Sequence, residues 1–138
     1  GTAPDFRDLG ATQPPADTDR ARLIQMRNHA RRFSASEINS GDPSALRLLP
    51  QPIDRYQSPD EGILDGALFV FAYGTNPELA VLIECERERW RYALARLSWA
   101  ELTVELDRQE VGRFAQLRGF PANGPYRSSG HAIQALNE

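Results

Sequence analysis

The chain has 138 residues, of which 41% are hydrophobic and 25% are charged, and its formal net charge at pH 7 is −3. This length and composition are typical of one soluble globular domain, which folds without needing a disulfide or a metal. The single cysteine, Cys85, excludes an internal disulfide, and the negative net charge argues against nucleic acid as a partner. No apolar run approaches the roughly 18 residues that a membrane span requires.

Residues 1–16 contain three prolines, Pro4, Pro14 and Pro15, and few apolar side chains, so we expect a flexible N-terminal arm there. The sequence begins with Gly1 rather than with Met, which favours the removal of an upstream segment, with a signal peptide as one candidate. The expected localisation therefore leans towards export.

A helix is predicted over residues 17–33. Asp17 or Thr18 can cap its N-terminus, because either side chain can accept a hydrogen bond from a free first-turn N–H. Four apolar residues then recur at the spacing that lines one helical face: Leu23, Met26, Ala30 and Phe33. Five arginines are assigned to the opposite, solvated face: Arg20, Arg22, Arg27, Arg31 and Arg32.

Two extended stretches follow the helix. Residues 33–38 are a candidate short strand, and residues 45–56 have an extended pattern. Pro50 and Pro52 cannot donate to a strand ladder, so they confine the second stretch to a sheet edge or to a departing segment. The edge at residues 46–53 is a candidate surface for a homodimer or another protein partner.

Closely spaced strands then predict an antiparallel meander, since parallel strands need long crossovers. The predicted strands are 66–73, 79–86, 90–97, 101–106 and a short fifth at 111–114. Residues 17–114 are therefore expected to form a single α+β domain. Residues 115–138 are rich in Gly, Pro, Ser and Asn and are expected to be mostly irregular.

The hairpin registers place side chains on opposite faces of this sheet. If Tyr73 faces Glu78 across the first turn, Phe71 faces Ala80 and Phe69 faces Leu82. In the second hairpin, the predicted pairs are Cys85 with Trp90, Ile83 with Tyr92, Val81 with Leu94, Glu84 with Arg91, Leu82 with Ala93 and Ala80 with Ala95. A slip of one residue would exchange the faces.

In this register, the two phenylalanines lie beside small residues, which leaves a hollow near Phe69, Phe71, Ala80, Ala93 and Ala95. We expect the helix to fill this hollow, because an apolar stripe at helical spacing is usually part of a core. The alternative is a ligand cavity with polar groups at its rim. Its candidate ligand-binding residues are Phe69, Phe71, Tyr73, Glu78, Glu84 and Arg91.

The sequence offers no catalytic grouping. Cys85 lies between Glu84 and Glu86, whose charges disfavour a reactive thiolate. Neither His29 nor His131 has a second His or Cys at metal-ligand spacing. We therefore expect no catalytic residue, no metal and no cofactor.

Five segments together resemble an uncharacterised bacterial family associated with planctomycetes. They are "ARRFSASEI", "LRLLPQPIDRY", "DGALFVFAYGTNPELAVLIE", "WRYALARLS" and "LTVELD", and they cover about two-thirds of the chain. The resemblance implies a small accessory or exported protein and carries no activity and no site residues with it.

The expected fold is an N-terminal helix packed on a curved antiparallel sheet of five to six strands, in a cystatin-like or NTF2-like shape. An up-and-down β-barrel is the alternative, but it would leave the apolar stripe of the helix outside. The expected function is a non-catalytic binding or protein-interaction module. The alternative is a small-molecule or enzymatic site in the sheet hollow.

Overall fold

The structure is a computed structural model that describes residues 4–10 and 13–117. One α-helix, one 3₁₀ turn and ten strands make up its regular structure. In chain order these elements are β1 (Arg7–Asp8), α1 (Asp19–Ala30), β2 (Phe33–Asn39), β3 (Asp42–Ala45), β4 (Arg47–Leu48), β5 (Asp54–Ser58), the 3₁₀ turn (Pro59–Glu61), β6 (Ile63–Tyr73), β7 (Asn76–Cys85), β8 (Trp90–Arg96), β9 (Glu101–Leu106) and β10 (Gln109–Phe114).

The strands form two antiparallel sheets. The larger sheet has the order β1-β8-β7-β6-β4, with β5 also paired to β6, and the smaller sheet has the order β10-β9-β2-β3. Only Leu46 separates β3 from β4, and its N–H donates to the Ala35 carbonyl of β2 at 2.9 Å. The chain therefore passes directly from one sheet into the other. The predicted α+β class, dominated by antiparallel sheet, is confirmed.

The predicted meander stops after three strands, because β9 and β10 pair in the smaller sheet with β2. The change of sheet occurs at residues 97–100, where the backbone bends. The Arg96 guanidinium stabilises this bend by donating to the Ser98 carbonyl at 2.9 Å and to the Ala100 carbonyl at 2.7 Å. Hydrogen bonds from one arginine thus hold the crossing that the sequence pattern does not reveal.

Helix α1 begins after Thr18, whose hydroxyl accepts the Ala21 N–H at 3.2 Å, as a capping residue does. Met26 and Ala30 are fully buried, as the apolar stripe predicts. Arg22 corrects the prediction, because its side chain is buried instead of solvated. Positions 22, 26 and 30 are spaced by four residues, so Arg22 continues the buried face towards the start of the helix.

The main core lies between the two sheets and α1. Its larger side chains are Leu9, Met26, Phe33, Phe69, Phe71, Leu79, Val81, Ile83, Trp90, Tyr92, Leu102 and Val104. Gly112 of β10 allows a close approach here, since a Cβ at this position would lie 2.7 Å from the Leu94 side chain of β8. A second cluster, on the other face of the larger sheet, consists of Leu68, Val70, Ala80 and Leu97.

The register of the β6–β7 hairpin differs from the prediction by one residue. Phe71 pairs with Leu79 instead of Ala80, because the turn is shorter than predicted and the ladder contains a bulge between Phe71 and Ala72. The shorter turn alone pairs Tyr73 with Asn76 instead of Glu78, a shift of two residues that would leave each side chain on its predicted face of the sheet. The bulge adds a shift of one residue, which places the side chains of β7 on the face opposite to the predicted one, relative to β6.

The register of the β7–β8 hairpin is confirmed. Every predicted pair is observed, from Cys85 with Trp90 to Ala80 with Ala95, and Glu84 faces Arg91. This ladder contains no bulge, so counting residues outward from the turn gives the correct register.

The predicted edge at residues 46–53 is also observed. β4 lies at the edge of the larger sheet. After β4, the N–H groups of Leu49 and Ile53 donate to β6, to the carbonyls of Val70 and Leu68, and the chain between them bulges away from β6. Pro50 and Pro52 lie in this bulge and have no N–H to offer an incoming strand. Pairing of a protein partner through this edge stays a prediction, and the prolines leave it few donors.

Candidate functional site

The predicted hollow does not form, because its residues lie on opposite faces of the larger sheet. Phe69 and Phe71 belong to the main core with Met26 of α1. Ala80 belongs to the second cluster, and Ala95 packs against that cluster. The helix therefore fills the space over the phenylalanines, as expected, but it does not lie over the alanines.

The six predicted site residues do not meet in one place. Phe69 and Phe71 are in the core, Tyr73 is exposed at the β6–β7 turn, and Glu78 is buried. Only Glu84 and Arg91 are brought together, with the Arg91 Nε donating to Glu84 Oε1 at 2.8 Å. Ligand binding by any of the six stays a prediction.

The structure instead reveals a buried charge cluster around Asp65, which the sequence reading missed. Asp65 is completely buried on the helix-facing side of β6 and accepts four hydrogen bonds. Arg22 Nε donates to it at 2.9 Å, Arg55 donates at 2.7 Å and 3.2 Å, and the Gly66 N–H donates at 3.0 Å. Such donors offset the loss of hydration of a carboxyl group that is shielded from water.

The cluster continues to the first turn of α1. Asp19 pairs with the Arg22 guanidinium, and its carboxylate also accepts the Gln57 side-chain N–H at 3.3 Å. The Asp19 carbonyl accepts from Arg55 Nη2 at 2.5 Å. Two aspartates thus balance two arginines, and the cluster joins the start of α1 to β5 and β6.

A depression of about 400 Å³ opens to solvent over this cluster. It is lined by Asp19, Arg55, Tyr56, Gln57 and Asp65. This volume is within the range of small-molecule sites, although the lining is polar where most such sites are apolar. The depression can therefore hold a small polar ligand beside the fixed guanidinium group of Arg55.

Two sequence signals could have located this cluster. Asp65 is the one charged residue in the apolar run of β6, and such a residue in a buried strand needs an internal partner. Arg22 stands where the four-residue spacing of Met26 and Ala30 predicts an apolar side chain. Together these signals predict an Arg–Asp contact between α1 and the sheet.

The opposite face of the same sheet carries a second buried carboxylate, Glu84. The Tyr56 hydroxyl donates to it at 2.7 Å, and Arg91 donates from the other side. Tyr56 reaches Glu84 across β6 because Gly66 has no side chain; a Cβ there would lie 2.4 Å from the tyrosine ring. Burial, followed by the carboxylate partner, raises the pKa of Tyr56 well above its usual value.

The remaining candidates for chemistry are unreactive in their surroundings. Burial and the charge of Asp65 raise the pKa of the Cys85 thiol to about 11, so the nucleophilic thiolate is disfavoured at neutral pH. Burial and the charge of Arg32 lower the pKa of His29 to about 4, so its imidazole is neutral at pH 7. Among the described residues, no group of three or more His, Cys, Asp or Glu side chains could hold a metal ion.

Comparison with known proteins gives no relative for this chain: no family model, no curated protein and no solved structure matches it. Across residues 4–10 and 13–117, no helix is long and apolar enough to cross a membrane. Any assignment of function therefore rests on the geometry of the two carboxylate clusters and of the depression at Arg55.

Proposed function

We propose that this protein is a non-catalytic binding module whose site is the depression beside Asp19, Arg55 and Gln57. The observation that carries the proposal is the state of Arg55. Asp65 holds its guanidinium by two hydrogen bonds, while 31% of the side chain is exposed to solvent. An arginine that is already oriented loses little conformational entropy when a ligand binds.

The chemistry of the lining supports a ligand that combines a carboxylate with a hydrogen-bond donor. Arg55 uses Nε and Nη2 for its contacts inside the cluster, so Nη1 is the atom that can donate to a ligand carboxylate. The Asp19 carboxylate is 68% exposed and can accept from a donor on the same ligand. A free amino acid or the C-terminal end of a peptide has both groups.

The hydrogen bonds of the buried carboxylates Asp65 and Glu84 support binding over catalysis. Asp65 is engaged by Arg22, Arg55 and Gly66, and Glu84 by Tyr56 and Arg91. A general base must be within reach of a substrate proton. Both carboxylates are already occupied by fixed donors, so they act as structural supports of the site.

The test follows the Arg55 Nε–H signal by NMR while glycine, acetate or guanidinium chloride is added at constant ionic strength. We expect glycine and acetate to shift this signal in a saturable way at millimolar concentration, and guanidinium to leave it unchanged. The proposal is wrong if all three titrations are flat, or if guanidinium binds as well as the carboxylates.

Two variants assign the effect to this side chain. Arg55→Lys keeps the charge but loses the planar fork, so we expect at least tenfold weaker glycine binding, as monitored by backbone amide shifts of Gln57. Arg113→Gln is the matched control, because Arg113 is an exposed arginine that pairs with Glu110 on β10, and glycine binding should not change. Equal weakening in both variants would show a non-specific charge effect.

We also propose that the bent sheet around α1 is a cystatin-like or NTF2-like arrangement and that the chain belongs to the bacterial family that it resembles. The support is the passage from β3 to β4 around Leu46, together with the buried helix residues Met26 and Ala30. An experimental structure that superimposes better on a closed barrel, with α1 outside, would contradict the first proposal.

A further inference from the structure

The outer face of α1 carries three arginines without a carboxylate partner. Arg20, Arg27 and Arg31 are seven and four residues apart, so they lie on one side of the helix, and Arg31 continues it directly in helical conformation. The guanidinium groups of Arg27 and Arg31 bond to amide side chains. Within residues 4–10 and 13–117, none of the three pairs with an Asp or a Glu, so no ion pair neutralises this block of positive charge.

An isoleucine stands among these arginines. Ile24 lies one helical turn after Arg20 and one turn before Arg27, and it is 54% exposed to solvent. A single exposed apolar side chain is ordinary on a protein surface. A second isoleucine of similar exposure, Ile53 at 52%, lies on the chain just before β5.

Two hydrogen bonds hold this part of the chain along α1. At one end, the Gln51 side chain accepts from Arg27, and at the other end Arg55 Nη2 donates to the Asp19 carbonyl at 2.5 Å. Ile53 is midway between these two contacts in the chain, so it lies beside the middle of the helix. The middle of the helix is also where the first exposed isoleucine lies.

These five side chains form one surface, which we call the basic apolar face: Arg20, Ile24, Arg27, Arg31 and Ile53. Guanidinium groups bind phosphate oxygens, and isoleucine gains free energy when it leaves water for hydrocarbon. An anionic lipid bilayer offers headgroup phosphates and hydrocarbon in one flat surface, which a convex helix face can meet without a groove. A nucleic acid or a polyacidic peptide would meet the arginines but leave the isoleucines in water.

We propose that the basic apolar face docks this protein on the surface of an anionic lipid bilayer, with α1 lying along that surface. One arginine near such a surface strengthens binding about fivefold, so three strengthen it about 100-fold relative to a neutral bilayer. The formal net charge of −3 includes these arginines. The rest of the molecule is therefore more acidic still, which favours the orientation that turns it away from the anionic headgroups.

The test is sedimentation of the full chain with vesicles of phosphatidylcholine, either alone or mixed with about 30% phosphatidylserine. We expect about 100-fold tighter binding to the mixed vesicles. This preference should be lost when the ionic strength rises from about 0.1 M to 1 M, because the screening length falls from about 10 Å to 3 Å. Failure to sediment with the mixed vesicles overturns the proposal, and binding to polyglutamate in the same buffer would then assign the face to an acidic protein.

Paired variants show whether this face makes the contact. Arg20→Gln and Ile24→Gln should each weaken binding to the mixed vesicles about fivefold. Their controls are Arg113→Gln and Leu64→Gln, which make the same kinds of change elsewhere and should leave binding unchanged. Leu64 is 39% exposed, and it precedes the helix-facing Asp65, so its side chain points away from α1. Circular dichroism checks that all four variants fold. Equal weakening by a control, or unchanged binding in both face variants, contradicts the proposal.

Discussion

Two buried carboxylates on neighbouring strands, Asp65 of β6 and Glu84 of β7, are stabilised in different ways. Asp65 faces α1 and is held by two guanidinium groups, from Arg22 and Arg55. Glu84 faces the opposite side of the sheet and is held by one guanidinium and by the neutral hydroxyl of Tyr56. Without the contribution of Asp19, the formal charges of Asp65, Arg22 and Arg55 sum to +1, whereas those of Glu84 and Arg91 sum to zero.

The difference shows how β5 is fixed to the sheet. Arg55 and Tyr56 are consecutive residues of an edge strand, so their side chains point to opposite faces. One reaches Asp65 and the other reaches Glu84, and β5 is thereby held from both sides by buried groups. The contact of Arg55 with Asp65 is an ion pair. The contact of Tyr56 with Glu84 is a single hydrogen bond, and Glu84 has a separate ion pair with Arg91.

The largest expected effect is that of Asp65→Asn. This substitution takes the buried carboxylate from both Arg22 and Arg55 and leaves the buried Arg22 with the exposed Asp19. Removal of one partner of a buried ion pair costs about 3–5 kcal/mol. We expect a loss of this size in the free energy of unfolding, measured by urea denaturation. Glu84→Gln should cost less, about 1–3 kcal/mol, because Arg91 also contacts Glu86 at 3.3 Å and is 33% exposed.

The exposed Asp60 of the 3₁₀ turn provides the control for this comparison. Asp60→Asn changes the same chemical group at the surface and should alter the free energy of unfolding by less than about 0.5 kcal/mol. Equal losses for Asp65→Asn and Glu84→Gln would contradict the difference drawn between the two carboxylates.

Gly66→Ala tests the space that lets Tyr56 cross β6. The added methyl group would lie 2.4 Å from the tyrosine ring, so the ring must move. The Tyr56 hydroxyl then loses its hydrogen bond to Glu84. We expect a loss of about 1–3 kcal/mol in the free energy of unfolding. In a Tyr56→Ala background the same substitution should cost less than 1 kcal/mol, since the ring is absent. Full additivity in this double-mutant cycle would show that the two residues do not interact.

Tyr56→Phe removes only the hydroxyl and should cost about 1–2 kcal/mol at pH 7. Folding raises the pKa of Tyr56, so the stability that it contributes is complete below the unfolded pKa of about 10 and is lost as the pH rises above it. The free energy of unfolding of the original chain should therefore fall more steeply between pH 9 and 11 than that of Tyr56→Phe. Cys85, whose pKa is also raised, contributes equally to both curves.

A strand register can be predicted from the sequence where the ladder between the two strands is regular. The β7–β8 register follows from its turn, because the ladder is uninterrupted. The β6–β7 register does not, because the bulge between Phe71 and Ala72 depends on packing on both faces. One inserted residue was enough to move Phe69 away from the alanines and remove the predicted hollow.

The candidate site was harder to predict than the fold for a different physical reason. Arg22, Arg55 and Asp65 lie up to 43 residues apart in the chain, and only the tertiary structure brings them together. The sequence shows that Asp65 is a charged residue inside β6 and that Arg22 lies on the buried stripe of the helix. It does not show which residue each of them contacts. Asp19 and Gln57 join the cluster through ordinary exposed positions, which no pattern distinguishes.

The smallest expected effect concerns His29, which lies outside both clusters in the last turn of α1. His29 contacts the Trp90 ring and lies beside Arg32, which in turn pairs with Asp107. Because folding lowers its pKa from 6.5 to about 4, its contribution to stability is complete above pH 6.5 and is lost as the pH falls towards 4. The imidazole is partly exposed, so this loss is on the order of 1 kcal/mol. His29→Gln should flatten the pH dependence of the free energy of unfolding between pH 6.5 and 4, measured by urea denaturation. An unchanged slope in His29→Gln would show that this histidine does not cause the acid sensitivity.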